Sequence, residues 1–266
     1  MSLGVAFATS GISAAGAATV AHRTHPITSL KPRPHGSVPH IAAGNLINHG
    51  GPVENAPKVY IDFWGWTSDP SGEQSYLINF LEGVGGTSWL STVAQYGGGY
   101  TGNLLAGTWS HSATVPTHPT DSQIQAEAAA ADTHFAAGTS DNVEIVVATP
   151  HGHSTSGFGT QWCAYHGAVS SRHNITYTNL PYMTDAGANC GEGSVNHPGT
   201  LDGVSIVEGH EMAETITDPL LNAWYDSAGN EIGDKCAWIN LHNISTSHGT
   251  FAVQPLWSNR AGGCVG

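Results

Sequence analysis

The chain has 266 residues and a formal net charge of -13, with 7 Lys plus Arg against 20 Asp plus Glu. Only 10% of its residues are charged, against roughly 25% in an average globular protein. The scarce, scattered cations exclude a nucleic-acid surface, which needs clustered positive charge to displace counterions.

In chain order the first segment, "LGVAFATSGISAAGAATVA", is apolar and rich in small residues, with Ala-x-Ala-like cleavage candidates at 14–18. It reads as the remnant of a secretory signal peptide without its basic start. Pro26, Pro32, Pro34 and Pro39 follow among His, Ser and Gly, so residues 1–50 are expected to form this remnant and a Pro/His-rich leader or pro-segment. A single catalytic domain is expected over 51–266. No later stretch approaches the roughly 20 consecutive apolar residues of a membrane helix.

Within that domain, "KVYIDFWG" at 58–65 predicts a strand bounded by Pro57 and Gly65. Tyr76, Phe80 and Leu81 recur at helical spacing and predict a helix over 72–84, with a shorter helical piece at 88–96. "TDSQIQAEAAAADTHFAAG" carries Thr120 or Asp121 as N-cap and Gly138 beyond its end, which predicts a further helix. The β-branched run at 142–150 predicts a strand buried on both faces, and 174–183 a second strand. A Gly/Asn-rich loop then leads to a helix at about 201–217. This succession suggests the α/β (α+β) class, a mixed sheet with packed helices.

Four cysteines allow three connectivities. The pairing Cys163–Cys190 and Cys236–Cys264 is favoured because each brackets a local segment and closes a short loop, as suits an exported protein. No C-x-x-C spacing supports thiolate metal binding.

The stretch "VEGHEMAETITDP" at 207–219 concentrates a His and several carboxylates in a chain poor in charge. On a helix, His210 and Glu214 project from one face toward a common point, and Glu211 lies about 100° round. That arrangement suits metal-assisted hydrolysis, in which an ion acidifies a water and a nearby carboxylate removes the proton. The bland alternative is a packed His210 with solvent-facing glutamates. A third protein ligand is expected further along. Glu231 and Asp234 stand 21 and 24 positions after His210; either would complete the set, the other orienting the His210 ring. One His with two carboxylates is a harder set than two His, so zinc is expected with Mn or Ca tolerated. Asp218, before Pro219, is expected to end the helix.

Together with "NHGGPV", "PKVYIDFWGW", "QYGGGYTGN", "FGTQWCAYHG" and "NEIGDKCAW", this motif resembles the phosphate-induced (exordium-like) family over residues 47–266. The resemblance implies secretion. Its bacterial branch implies a zincin-like metallopeptidase, its plant branch an apoplastic protein without an established reaction. Carried over by position, the matching residues are His210, Glu211, Glu214, Glu231 and Asp234.

His151 and His153 follow a strand end, and His166 stands beside Cys163; each is weighed as an oxyanion or substrate contact against a hydrogen-bonded loop histidine. "NIT" at Asn174 and "NIS" at Asn243 are glycosylation sequons if the host glycosylates. The function expected is a secreted, monomeric zinc peptidase acting on peptides or proteins, with no nucleic-acid or membrane partner. Glu211 and His166 would be catalytic, and His210, Glu214 and Asp234 or Glu231 would hold the ion. Two alternatives are a carbohydrate- or cell-wall-associated binding protein with a structural metal, and a metal-free acid hydrolase using Glu211 and Glu214.

Overall fold

A computed structural model describes Met1 and residues 29–34, 44–138, 140–169 and 175–266. The signal-peptide remnant and the sequon at Asn174 lie outside the described residues. The elements are β1 (Ile47–Asn48), β2 (Lys58–Trp64), α1 (Glu73–Gly83), β3 (Leu105–His111), α2 (Asp121–Phe135), β4 (Val143–Ala148), β5 (Tyr165–Ala168) and β6 (Thr176–Leu180). They continue with α3 (Asp202–Thr217), β7 (Trp224–Tyr225), β8 (His242–Thr246), β9 (Gly249–Val253), β10 (Leu256–Ser258) and β11 (Gly263–Val265).

Five strands build the central sheet in the order β3-β2-β4-β6-β5. The first four are parallel, and β5 runs antiparallel along β6 at the edge. The mixed α/β architecture expected from sequence is therefore present. Alternation along β2 and β4 sends Val59, Ile61, Phe63, Val146 and Ala148 to one face, where α1 and α3 pack. Ile145 and Val147 go to the other face, against Ile124, Ala128 and Ala131 of α2. Burial on both faces is why β4 reads as a continuous apolar run.

Several boundaries differ from those expected. The short helical piece expected at 88–96 is a 3-10 helix over Leu90–Tyr96. α2 ends at Phe135, where Ala136 takes the left-handed turn (φ 50°) expected of a glycine. At its other end the Gln123 side chain accepts the Thr120 backbone N–H at 2.9 Å, half of a capping box. β3, β5 and the hairpins β8-β9 and β10-β11 add strands that sequence periodicity did not announce. The leader side of residue 50 also joins this body: Leu30 and Leu46 are buried, and Ile47 and Asn48 pair with Tyr225 and Trp224.

The two disulfides are Cys163–Cys190 and Cys236–Cys264, the pairing favoured from sequence. They suit an oxidising, extracellular compartment. No helix among the described residues is long and apolar enough to cross a membrane.

Candidate metal centre

All sixteen residues of α3 are buried. Gly209 permits this on one side: a Cβ there would stand 3.1 Å from Trp89 and 3.2 Å from Phe80. On another side α3 presents His210, Glu211 and Glu214 to the loop that follows β7. That loop is pinned by a buried ion pair, Lys235 Nζ to Asp226 Oδ2 at 3.1 Å, by the Lys235 ammonium 4.3 Å over the Trp257 ring, and by the disulfide at Cys236. Gly233 then lies flat on the cluster. A Cβ at this position would fall 2.7 Å from His210 Nδ1 and 2.9 Å from Glu214 Oε1, so only glycine allows the loop to close so tightly.

His210 Nε2 lies 3.1 Å from Glu214 Oε1 and 3.8 Å from Asp234 Oδ1. Neither nitrogen of this fully buried ring has a hydrogen-bond partner among the described residues, because the short approach to Glu214 is out of line for an N–H bond. The ring and the Glu214 carboxylate therefore meet at ion-pair distance without a well-aligned hydrogen bond, and with Asp234 they form a group that could hold a metal ion. Glu214 Oε1 also accepts the Asp234 backbone N–H at 2.9 Å. Beside this set, His166 Nδ1 stands 3.2 Å from Glu211 Oε2 and 3.6 Å from Glu214 Oε2, and its Nε2 stands 3.6 Å from Glu231 Oε1. Glu214 is thus shared by two groups, His210-Glu214-Asp234 and His166-Glu211-Glu214, each with ligand atoms within 4.8 Å of one another.

The electrostatics follow from burial and mutual charge. Burial alone would lower the His210 pKa, but Glu214, Glu211 and Asp234 around it carry it up to about 10. His166 is likewise raised, its burial outweighed by Glu211 and Glu214. Glu214 is lowered, because His210 and His166 outweigh its burial, while burial and the charge of Glu214 push Asp234 up to about 7. This surplus of carboxylates around two imidazoles could hold a divalent cation.

The structure thus brings together six residues singled out from sequence: His210, Glu211, Glu214, His166, Glu231 and Asp234. His166 sits inside the carboxylate cluster, fully buried, rather than on a loop facing a substrate. Asp234 lies with His210 and Glu214, and Glu231 on the His166 side; the Glu231 N–H donates to Asp234 Oδ2 at 3.1 Å. His151 and His153 stay outside the cluster, bound respectively to the Asp185 carboxylate and to the Pro116 carbonyl. Asp218 ends α3, accepting the Asn222 and Ala223 N–H groups at 2.6 Å each. Asn243 is exposed on β8, its amide bonded to Asn196.

Sequence reasoning passed over three buried glutamates behind the centre. Glu144 accepts the hydroxyls of Thr178 and Thr215, at 2.6 and 3.1 Å, and burial first of all pushes it up to about 7. Glu54 and Glu208 have no hydrogen-bond partner among the described residues, and burial raises both. An acid inside "VEIVVA" was the available signal for Glu144.

A second cluster lies on the α2 face, where Asp62 of β2 meets His111 of β3 and Glu127 of α2. His111 Nδ1 is 2.5 Å from Glu127 and 4.0 Å from Asp62, and its ring stacks on Trp109 at 3.8 Å. Burial, then Glu127, pushes the Asp62 carboxyl from 3.8 up to about 9. An acid held protonated longer in the folded than in the unfolded chain loses stability for the fold as pH rises, here between about 4 and about 9. Asp62→Asn should be close to neutral at pH 4 and more stable than wild type at pH 9, by up to about 7 kcal/mol for a carboxyl moved from 3.8 to about 9. Urea midpoints at the two pH values measure this; a constant difference would assign the proton to another group.

Fold and cluster define a mixed α/β protein with an enclosed histidine-carboxylate centre. The chain is similar to Protein EXORDIUM-like 5 of Arabidopsis thaliana, with 28% identity over 241 residues, 73% of this chain. It spans 65% of that protein's length. The likeness supports the exordium-like family, under a name that states no reaction. No protein-family profile matches the chain, and no solved structure matches it.

Proposed function

We propose that this is a secreted metallopeptidase of zincin-like build, in which His210, Glu214 and Asp234 hold one divalent ion, zinc first, and Glu211 moves protons. The observation that carries this is His210: a fully buried ring with no well-aligned hydrogen bond at either nitrogen among the described residues, its Nε2 set against two carboxylates. When bound, the ion would acidify a water and polarise a peptide carbonyl. Glu211 Oε1 has no hydrogen-bond partner among the described residues, so it can accept the proton of the attacking water and deliver it to the leaving amine. His166, through Nδ1 on Glu211 Oε2, is a positioning residue that holds the other oxygen and fixes the carboxylate plane. Glu231 steadies the far side of His166. The substrate class is a peptide or protein.

The enclosure of the cluster favours one competing reading, a structural ion in a cell-wall-associated binding protein. Metal content by mass spectrometry, with peptidase activity before and after chelation on one sample, separates the readings. About one zinc per chain with activity that falls on chelation and returns with zinc is the expected result. Bound metal without activity would favour the structural ion, and activity that survives chelation would move the chemistry to Glu211 and Glu214 alone.

A further inference from the structure

His210, Glu211 and His166 are fully enclosed, and in the metal-holding set only Asp234 reaches the surface, its side chain 15% exposed. It opens onto a cavity of about 380 Å³ whose other wall is the chain's own segment 29–34. That segment is held mainly through its backbone. Leu30 forms an antiparallel bridge with Ala164, and its carbonyl accepts the Cys163 N–H at 2.7 Å. The Lys31 carbonyl accepts the Trp238 indole N–H at 2.7 Å, and the Arg33 N–H donates to the Asn189 carbonyl at 2.7 Å. Two side chains add to this: Leu30, 1% exposed, fills an apolar pocket, and Arg33 reaches Ser194 Oγ at 3.1 Å.

Backbone pairing along one edge with one buried side-chain anchor is how grooves hold extended peptides. Pro32 and Pro34 keep Lys31 and Arg33 extended. Lys31 and Arg33 are also two of the chain's seven cations, set against a body of strong negative charge. We propose that the groove lined by Cys163, Ala164, Asn189 and Trp238 is the substrate cleft of the metal centre, that it takes extended peptides with an aliphatic residue in the Leu30 pocket, and that residues 29–34 fill it as a latency segment. The assignment of this groove to substrate rests on the peptidase reading. The occupant has to leave before a peptide enters, so the apparent affinity for any peptide is reduced by the fraction of molecules with the segment in place.

The test uses the full chain loaded with zinc, wild type and Leu30→Asp, and a fluorescently labelled peptide Ser-Leu-Lys-Pro-Arg-Pro. Expected are peptide binding at least roughly tenfold tighter in the variant, read by anisotropy, and a matching acceleration of zinc withdrawal by a coloured chelator. Equal affinity and equal withdrawal in a folded variant would overturn the proposal. Should Leu30→Asp not fold, as judged by circular dichroism, Arg33→Ala removes the Ser194 bond and one of the segment's two cations and must shift both readouts the same way; no shift in either overturns it. Peptide binding to the variant without hydrolysis by any form supports the groove and its occupant while refuting the peptidase. Hydrolysis at equal rates by wild type and variant, with no labelled-peptide binding, overturns the groove and leaves the peptidase standing.

Discussion

Glu211→Gln is expected to lower kcat for peptide hydrolysis by roughly 10²- to 10⁴-fold, the usual contribution of a positioned acid-base group, with metal content unchanged. Gln keeps the size of Glu and can still offer an oxygen to His166 Nδ1, 3.2 Å away in the wild type. It cannot take a proton at the oxygen that Glu211 leaves unpartnered. Removing the charge relieves repulsion from Glu214 and Asp234 and also takes away an attraction to His166 and His210, so circular dichroism accompanies the assay to establish that the variant folds. The loss should fall on kcat rather than KM, because the proton moves only as the reaction proceeds. Loss of metal together with activity would make Glu211 a ligand, through the set it forms with His166 and Glu214. Unchanged turnover would remove the proton-transfer role altogether.

The part of this centre that lies on α3 was legible because helix periodicity is local: residues four apart share a face whatever surrounds them. The strands at 58–64 and 143–148 were legible for a similar reason, since burial on both faces demands an uninterrupted apolar run. β3 was not, because an edge strand half open to solvent carries Gly107, Thr108 and Ser110 between its larger residues. β5 has only four residues, too few for any period to show. His166 rides on β5 and reaches Glu211 across 45 positions, through an antiparallel pairing with β6 that no local pattern encodes. Its side chain was foreseen as functional, but its place inside the carboxylate cluster was not. The docking of Leu30 was not legible, because the Pro/His-rich composition around it reads only as a leader or pro-segment, while the contacts that hold it are one buried leucine, the Arg33 bond to Ser194 and three bonds made by the segment's backbone. The disulfide pairing was legible because both loops are short, closed across 27 and 28 positions.

Zinc in thousandfold excess over its dissociation constant is expected to stabilise the wild-type fold by about 4 kcal/mol, or about 8–16 °C in Tm for a domain of this size. His210→Ala should abolish that shift. It should also make the metal-free protein less stable by roughly 3–5 kcal/mol, because Glu214 and Asp234 are left buried without the imidazole between them. Scanning calorimetry with and without zinc, on wild type and variant, separates the two effects: the shift reports the ion, and the metal-free baseline reports the broken cluster. The same measurement decides between the two carboxylates that followed His210 in the sequence. Asp234 Oδ1 lies 3.8 Å from His210 Nε2, whereas Glu231 is directed to His166 at 3.6 Å. Asp234→Asn should therefore lose most of the zinc-dependent shift, while Glu231→Gln should retain it and lower turnover through His166. The reverse pattern would place the ion between His166, Glu214 and Glu231, turning His210 into a charge partner of Glu214 rather than a ligand.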